Sequence, residues 1–484
     1  MWFWLLVMSF CCVHGTTIDD SLQYNQLDIR KETKPTACGA NHTCDCHQTK
    51  KTFYLVDCSL RALSVIPTLP HNATEINISR NRLTGIPPGT FQWTVNLTSI
   101  IFTRNQMKAI PNGIFSSVNN LENVAFSTNK IVSIPVDLLE SKINLQKVDF
   151  SRNYIKEIPT GFLSSALNIK SIDFSSNKIS HIPSDLFENK TNLQTLFFGD
   201  NYITNLDSRI FDGNPSLISF DFRKNRLEEI AEELFSSTPS IERVDLSRNF
   251  IKEIPKEFFA KTPHLKHVSF ERNKLSEIPD GLFRNTKALK NIMFSSNLLC
   301  QLPQRLFQGL QALQTLDLHE NELTDLQCGI FIELSNIENI NLSKNRIRTL
   351  CPTIFSSFTN VKQIQLAGNY ITALQENLLW KTQALEILRI SRNGLRTLPE
   401  SFLANVPNLQ IVEVAHNSIT VLPEDLFQRT TNLTSIILSA NVIERLPLDV
   451  FAEVTKVSTL LKLSHNQLRS LHEDTFPGIM KLEA

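Results

Sequence analysis

One asparagine recurs along most of this chain at a nearly constant interval of 24 residues. A fixed interval of this length is typical of a solenoid, in which every repeat forms one coil that stacks on the next. The sequence therefore predicts one continuous stack of about 17 coils rather than several separate domains. The asparagines are Asn81, Asn105, Asn129, Asn153, Asn177, Asn201, Asn225, Asn249, Asn273, Asn297, Asn321, Asn345, Asn369, Asn393, Asn417 and Asn441, with Asn466 following after 25 residues.

The repeats share the pattern L-x-x-L-x-L-x-x-N-x-[LI]-x-x-[LI]-P-x-x-x-F, and the repeat around Asn249 reads IERVDLSRNFIKEIPKEFF. Its alternation predicts a short strand with Val244 and Leu246 inward and Arg243 and Asp245 outward. Strands of successive coils then stack in parallel. The proline excludes regular helix and predicts an extended return path on the convex side.

Two positions of the pattern are expected to hold the coils together. A neutral amide has donors and an acceptor, so we expect each repeated asparagine to bond backbone groups of its own and the neighbouring turn. The position three residues earlier is phenylalanine in six successive repeats, and its inward phase predicts a buried stacked column rather than an aromatic cage for a ligand. These residues are Phe102, Phe126, Phe150, Phe174, Phe198 and Phe222.

This pattern, from about residue 71 to 484, resembles the typical subclass of extracellular leucine-rich repeats. The resemblance implies an α/β repeat solenoid: a curved horseshoe with a parallel β-sheet on its concave face. Its convex side is expected to be mostly irregular, with short 3-10 or polyproline segments. The family implies binding of macromolecules in innate recognition or developmental signalling.

The residues before the array contain four cysteines and end in DCSLRALSVIPTLP. This block, residues 38–70, resembles the N-terminal cap of Slit, Toll and leucine-rich-repeat G-protein-coupled receptors. The resemblance implies that Cys38 pairs with Cys46 and Cys44 with Cys58. A cap is also needed on physical grounds, because an end repeat would otherwise expose its apolar edge to water.

Both ends of the chain carry an expectation. The N-terminus begins with the apolar run MWFWLLVMSFCCVHG. We interpret residues 1–15 as a signal peptide, because spanning a bilayer needs about 20 apolar residues, and residues 16–37 as a flexible leader. The chain closes with PGIMKLEA and no cysteine-rich C-terminal cap. We therefore expect residues 71–484 to belong to a longer protein whose next strand would begin there.

The outward strand positions are where a ligand would bind, and the first candidate surface there is charged. Aspartates form a column that Phe197 interrupts with an exposed aromatic ring. Either these charges form a recognition surface or they are a solvated ladder of weak ion pairs. The column and its basic neighbours are Asp149, Asp173, Asp221 and Asp245, with Arg152, Arg223, Lys224, Arg248 and Arg272.

The second candidate surface is apolar. Ile387 and Ile411 occupy the same outward position of adjacent repeats, and Ile437 occupies the neighbouring position of the next repeat. Apolar side chains at positions that usually hold polar ones indicate a contact surface, with ordinary surface variation as the alternative. The charged residues around them are Arg389, Arg392 and Glu413.

Export also predicts glycosylation and disulfide bonds. Asn77 and Asn341 are glycosylation sites in outward strand positions, where a glycan would exclude a partner from the concave face. Cys328 and Cys351 hold nearly equivalent positions of adjacent repeats, which predicts a bridge and leaves Cys300 as a free thiol or an intermolecular link. Three reduced buried thiols are the alternative. The seven glycosylation sites are Asn41, Asn72, Asn77, Asn96, Asn189, Asn341 and Asn432.

Catalysis and metal binding find little support in the sequence. Ser295, His319 and Asp317 share an outward region, but no glycine-rich elbow or oxyanion donor accompanies them. His267 and Glu271 stand two repeats, about 10 Å, from His319 and its neighbour Glu320, too far to share a metal ion.

For the cap cysteines a zinc site with His42 and His47 is the alternative, and export favours disulfides. We expect no enzyme, no metal and no cofactor.

The formal net charge is zero, with 48 basic and 48 acidic residues. No global field therefore steers the chain to nucleic acid, and no apolar segment after the leader is expected to insert into a membrane. The leading hypothesis is a receptor or co-receptor ectodomain, secreted or on the extracellular face of the plasma membrane, that binds an extracellular protein. The alternative is a matrix or adhesion protein without a signalling role. The sequence leaves dimer formation open.

Overall fold

The computed structural model describes residues 36–38, 43–49, 53–454, 460–471, 475 and 481–483. Residues 1–15, which we interpret as a signal peptide, nearly all of residues 16–37, which we expect to be a flexible leader, and Asn41 lie outside the described residues. The described chain forms a solenoid of parallel strands, as the repeat predicts, and all of its strands join one sheet. The helical part of the expected α/β class is limited, among the described residues, to 3-10 geometry: the helices Glu232–Phe235 and Glu376–Leu379, and Thr475.

The sheet begins antiparallel and continues parallel. Strands β1, β2 and β3 pair antiparallel in the cap, β3 pairs parallel with β4, and each later strand pairs parallel with the one before it. The strands are β1 Thr36–Cys38, β2 Cys44–Thr49, β3 Phe53–Asp57, β4 Glu75–Asn77, β5 Ser99–Ile101, β6 Asn123–Ala125, β7 Lys147–Asp149, β8 Ser171–Asp173, β9 Thr195–Phe197, β10 Ser219–Asp221, β11 Arg243–Asp245, β12 His267–Ser269, β13 Asn291–Met293, β14 Thr315–Asp317, β15 Asn339–Asn341, β16 Gln363–Gln365, β17 Ile387–Arg389, β18 Ile411–Glu413, β19 Ser435–Ile437, β20 Leu460–Lys462 and β21 Lys481–Glu483.

Strand β21 lies in the closing segment PGIMKLEA, where the sequence pattern places the beginning of a further strand. It pairs in parallel with β20, Leu461 opposite Leu482. The sheet extends past the last repeated asparagine, because a strand needs the alternating strand residues but not the asparagine that follows them.

Each repeat buries the residues that its pattern assigns to the core. In β11, Val244 is buried, and Leu246 just after the strand is fully buried. Ile251, Ile254 and Phe259 on the return path are buried too. The convex side is formed by turns. Each coil thus contributes a narrow apolar slice, and stacking the slices makes one continuous core.

The repeated asparagine bonds two neighbouring coils, as its chemistry predicts. The Nδ2 of Asn249 donates to the carbonyl oxygens of Phe222 and Leu246, each at 3.0 Å. Its Oδ1 accepts the N–H of Leu227 at 3.1 Å. Since Asn249 is buried, its amide replaces water for three backbone groups that the turn leaves without strand partners.

The six phenylalanines three residues before an asparagine form the predicted buried column. Successive ring centroids lie between 5.0 and 5.6 Å apart, with the rings within 29° of parallel. All six rings are fully buried. Their spacing follows from the sheet, because neighbouring strands place equivalent side chains about 5 Å apart. These rings belong to the core and leave no aromatic face for a ligand.

The cap closes the N-terminal edge of this core. Disulfides join Cys38 to Cys46 and Cys44 to Cys58, with Cα separations of 5.8 and 4.4 Å. This is the pairing that the resemblance implies. Because Cys44, Cys46 and Cys58 are buried against the first coil, the cap shields an apolar edge that would otherwise face water.

The residue directly before each repeated asparagine has an unusual backbone. Its φ is between 53° and 62° in sixteen repeats with a residue other than glycine there, and 71° at Gly368. The left-handed conformation is disfavoured for residues with a Cβ. It turns the chain sharply out of the strand and sets one side chain per coil along the rim of the concave face.

Candidate binding surface on the concave face

The concave face of the N-terminal coils encloses a cavity of about 2070 Å³. Its lining runs from β3 to β13 and includes the outward strand residues and the rim residue before each asparagine in most of these coils. The first and third residues of most of these strands line the cavity, since the middle residue points into the core; both outward residues of β10, Ser219 and Asp221, are exceptions. The cavity is open and wide, so it suits a protein surface better than a small molecule.

The aspartate column lies in register at the third strand position. Asp149 is opposite Asp173, and Asp221 is opposite Asp245, with Phe197 between the two pairs. The interpretation as a solvated ladder is wrong for most of these acids, because Asp149, Asp221 and Asp245 are 7%, 6% and 8% exposed. Neighbouring strands crowd them, so they sit deeper than the alternation suggested.

Serines two residues further on bind these carboxylates. Ser151 donates its backbone N–H and its hydroxyl to Oδ1 of Asp149, at 2.9 and 2.7 Å. Ser175 does the same for Asp173, at 2.8 and 2.7 Å. These bonds compensate part of the cost of burying a carboxylate. They also explain why serine recurs at this position.

Burial nevertheless changes the protonation of the column. Burial, with Asp149 as the second cause, raises the pKa of Asp173 to about 7. Burial and the neighbouring Asp245 raise the pKa of Asp221 to about 7. Burial likewise raises the pKa of Asp149. Asp149, Asp173 and Asp245 line the cavity, whereas Asp221 belongs to the same column but not to the lining. Burial therefore disfavours the charged form of Asp149 and Asp173 at the cavity surface.

Phe197 stands where the column would carry another aspartate. The ring is half-buried, and Gly199 replaces the serine that would have bonded a carboxylate there. A Cβ on Gly199 would lie 3.0 Å from Oδ1 of Asp221 and 3.1 Å from Cγ of Arg223. Arg223 fills that space and holds Oδ2 of Asp221 with its Nε at 3.3 Å. The exchange of Asp and Ser for Phe and Gly thus makes an apolar spot between two acidic pairs.

Ile387, Ile411 and Ile437, which we call the isoleucine patch, lie on adjacent strands as the repeat predicts. The patch lies outside this cavity. Ile387 lies opposite Ile411, and Ile437 lies opposite Glu413. All three side chains are half-buried. Glu413 accepts a bond from Nε of Arg389 at 2.9 Å, so this pair neutralises itself. Arg392 is exposed at the rim, and the cavity lining ends at Met293, several coils earlier.

The glycosylation sites fall into two groups. Asn77 and Asn341 occupy the third strand position on the concave face, half-buried, and each accepts a backbone N–H two residues on, at 3.0 and 3.1 Å. Asn72, Asn96 and Asn189 are exposed away from the strands. Asn432 is half-buried and donates to the carbonyl of Pro407 at 2.9 Å.

Three cysteines lie in the middle of the array. Cys328 and Cys351 form a disulfide with a Cα separation of 5.6 Å, the pairing predicted from their equivalent positions. Cys300 is exposed and carries no disulfide. The alternative of three reduced buried thiols does not agree with this arrangement.

The serine and histidine of the catalytic alternative are not placed for catalysis. Ser295 is 1% exposed, so its hydroxyl does not face the cavity as the alternation suggested. His319 bonds Asp317 through Nδ1 at 2.8 Å. Burial lowers the pKa of His319, but the bond to Asp317 outweighs this and the net pKa is raised. Burial, helped by Arg243, lowers the pKa of His267 to about 4.

Within the described residues no three His, Cys, Asp or Glu side chains converge as a metal site would require. The same part of the chain holds no helix that is both long and apolar enough to cross a bilayer.

Models of leucine-rich-repeat families match most of the array. The BspA-type leucine-rich-repeat region matches residues 70–194 and 156–290. The general leucine-rich repeat matches residues 287–347, 335–395 and 407–461. This chain is a leucine-rich-repeat protein. The parallel sheet, the asparagine ladder and the capped end described above are the structural basis of that membership.

Solved leucine-rich-repeat structures share its fold at low identity. The protein LIC12759 of Leptospira interrogans is 21% identical, with a TM-score of 0.65 over 88% of this chain and 95% of that one. Toll, in the Drosophila Toll–Spatzle complex, is 24% identical, with a TM-score of 0.68 over 77% of this chain and 51% of that one. PEPR1, in the PEPR1–AtPEP1 complex, is 22% identical, with a TM-score of 0.60 over 84% of this chain and 60% of that one. No curated protein matches the sequence.

One exposed column of this leucine-rich-repeat protein was not predicted from the sequence. The residue directly after the asparagine alternates between a cation and an aromatic ring in seven successive repeats. Reading that position at the 24-residue period would have found it. We call it the edge column; its members are Lys130, Tyr154, Lys178, Tyr202, Arg226, Phe250 and Lys274.

Proposed function

We propose that this protein is a non-enzymatic extracellular receptor or co-receptor ectodomain that binds a protein ligand on the concave face of its N-terminal coils. The cavity around Phe197 carries this proposal, because it combines an accessible aromatic ring with charged groups on a rigid, curved sheet. Aromatic anchors surrounded by polar groups dominate the binding energy of protein interfaces. The capping disulfides and the apolar N-terminus support export.

The charges around Phe197 favour a ligand with a basic side chain. No ion pair of the described residues includes Asp149 or Asp173, whereas Asp221 is paired with Arg223 and also lies near Arg243. A lysine or arginine of the ligand could lie on the Phe197 ring, between the two acidic pairs. This side chain would make a cation–π contact with the ring, and its positive charge would favour the ionised form of the neighbouring carboxylates, which burial disfavours.

The isoleucine patch is the second proposed contact region. Ile387, Ile411 and Ile437 offer apolar area beside the Arg389–Glu413 pair, and Arg392 extends it to the rim. A glycan on Asn341 would lie between this patch and the cavity, so a ligand would reach the two regions separately. A glycan on Asn77 would limit the cavity at its N-terminal end.

A binding screen against secreted and cell-surface proteins tests the proposal, followed by variants of each ligand found. Phe197→Ala is expected to weaken binding by about tenfold or more, equivalent to about 1.4 kcal/mol. The melting temperature should not change, because the ring is partly exposed. Ile411→Asp is the matched variant in the second region. Binding that survives Phe197→Ala and is lost in Ile411→Asp would move the site to the patch.

A further inference from the structure

The edge column is a row of exposed side chains next to the concave cavity and separate from it. All seven members are exposed. None of them lines the cavity, whose lining stops at the residue before each asparagine. The row spans six coil intervals, which amounts to about 29 Å at the usual strand spacing. A partner of this row therefore does not compete for Phe197.

Each cation after the first lies on the ring of the coil before it. Lys178 Nζ is 5.0 Å from the ring centre of Tyr154, the Arg226 guanidinium is 4.4 Å from that of Tyr202, and Lys274 Nζ is 4.8 Å from that of Phe250. These distances are those of cation–π contacts. Three contacts of one kind, two coils apart, make a regular arrangement rather than a chance pair.

The rings hold the cations without neutralising them. In the part of the chain that the structure describes, Lys178, Arg226 and Lys274 have no carboxylate within ion-pair distance. Equivalent residues of a later pair of coils differ, because Arg346 Nη2 binds Glu322 Oε1 at 2.9 Å. An exposed lysine or arginine normally loses rotamer entropy when it binds an anion. Here the ring contact has already restricted the side chain, and the charge is still free to bind.

The backbone under the row is equally regular. The N–H of Lys178 donates to Ile155 O, that of Tyr202 to Ile179 O and that of Arg226 to Ile203 O, each at 2.8 Å. The same bond repeats at every member from Tyr154 to Lys274, at 2.8 to 2.9 Å. Because these bonds fix the start of each side chain, the cations of alternate coils recur about every 10 Å along the row.

We propose that the edge column binds a linear sulfated polysaccharide. A row one side chain wide with evenly spaced cations matches a thin polymer with evenly spaced anions better than it matches a folded protein. Single-stranded nucleic acid needs aromatic faces on which bases stack, and here cations already cover ring faces. Sulfated polysaccharides are extracellular, so the inference rests on the proposed export but not on the proposed concave ligand.

Heparin is the probe for this proposal, and binding is measured to the whole chain at physiological and at lower salt. The triple variant Lys178→Gln, Arg226→Gln and Lys274→Gln is expected to weaken heparin binding by at least about tenfold and to reduce its salt dependence. The control is Arg348→Gln, Arg396→Gln and Arg429→Gln, which removes three exposed charges outside the edge column. The control should bind within about twofold of the natural chain.

A second variant tests the role of the rings. Tyr154→Leu, Tyr202→Leu and Phe250→Leu keep every charge, and we expect heparin to bind about threefold more weakly because the cations are no longer held. Unchanged affinity would overturn the role given to the rings.

Three results would overturn the proposal itself: no heparin binding by the natural chain at physiological salt, equal losses in the triple variant and its control, or equal affinity for a single-stranded oligonucleotide. Circular dichroism confirms that each variant is folded. Loss of concave ligand binding in Phe197→Ala alone, with heparin binding intact, would show that the two surfaces are independent.

Discussion

The N-terminal coils, through Asn297, and the C-terminal coils, from Asn321 on, share one backbone conformation. They differ in the partners of the charged side chains at two equivalent positions. At the third strand position the N-terminal coils place Asp149 beside Asp173, two like charges. The C-terminal coils place Arg389 beside Glu413, which bond at 2.9 Å. At the position after the asparagine, the cations of the N-terminal coils make cation–π contacts with aromatic rings, whereas Arg346 in the C-terminal coils forms an ion pair with Glu322.

The cores differ as well. Phenylalanine fills the column three residues before the asparagine through most of the N-terminal coils, whereas aliphatic residues such as Leu318, Leu342 and Leu366 fill it later. The same coil therefore accepts either side chain in its core. The contrast teaches that the repeat fixes the backbone and leaves each side-chain column free to vary. In the N-terminal columns, Asp149, Asp173 and the edge-column cations have no ion-pair partner among the described residues, and a partner would be expected to bind there.

The largest expected effect concerns the asparagine ladder in both parts. Asn249→Ala should lower the free energy of unfolding by about 3 kcal/mol, because three buried backbone groups lose their partner. Asn417→Ala should cost less, since Asn417 is half-buried and water can reach the freed groups. Urea unfolding of both variants measures the difference. Equal losses would mean that burial does not decide the strength of the ladder.

The disulfide in the C-terminal coils gives the next effect. Replacing Cys328 and Cys351 by serine should lower the free energy of unfolding by about 3.4 kcal/mol, because the bond closes a loop with a sequence separation of 23. Cys300→Ser is the control and should change nothing measurable. Urea unfolding without reductant makes the comparison, and a stable double variant would contradict the expectation.

A pH-dependent effect should be confined to the N-terminal coils. The folded chain binds a proton at Asp173 with a pKa of about 7, against an ordinary value of 3.8. The folded state therefore takes up more protons than the unfolded state between these values, so stability falls as pH rises toward 7. Asp173→Asn should therefore raise stability at both pH values, by roughly 2 to 3 kcal/mol more at pH 8 than at pH 5, where part of the loss is already present.

Thermal melts at the two pH values test this expectation. Asp280→Asn replaces an exposed aspartate and serves as the control. A variant that melts like the natural chain at pH 8 would show that Asp173 is already solvated or neutralised there.

The smallest expected effect separates ring stacking from simple burial. Phe150 stacks between Phe126 and Phe174, with ring centroids 5.5 and 5.4 Å away. Phe402 is as deeply buried but pairs with no aromatic ring among the described residues. Phe150→Leu should therefore cost about 1 kcal/mol more than Phe402→Leu. Equal costs in urea unfolding would show that stacking adds nothing to burial.

The period made most of the fold predictable, because one motif repeated at 24 residues leaves a single way to bury its aliphatic positions. It also placed Ile387 beside Ile411 and Cys328 beside Cys351. It did not predict how deeply an outward residue sits. Asp245 and Ser295 are buried although their alternation points outward, because neighbouring strands and turns close over a short side chain. Depth depends on the neighbours, which a one-strand pattern does not include.

The left-handed backbone conformation of the residue before each asparagine implies a trade-off between the stability of the fold and the recognition of a partner. Glycine adopts that conformation freely, whereas other residues do so at a cost of roughly 1–2 kcal/mol each. Yet sixteen coils carry a side chain there, among them Arg152, Lys224 and Arg248, and only Gly368 takes the relaxed option. An engineer seeking the most robust scaffold would choose glycine throughout. The natural chain instead tolerates strain in almost every coil, and in return it displays one variable side chain per coil along the rim that an incoming partner meets first.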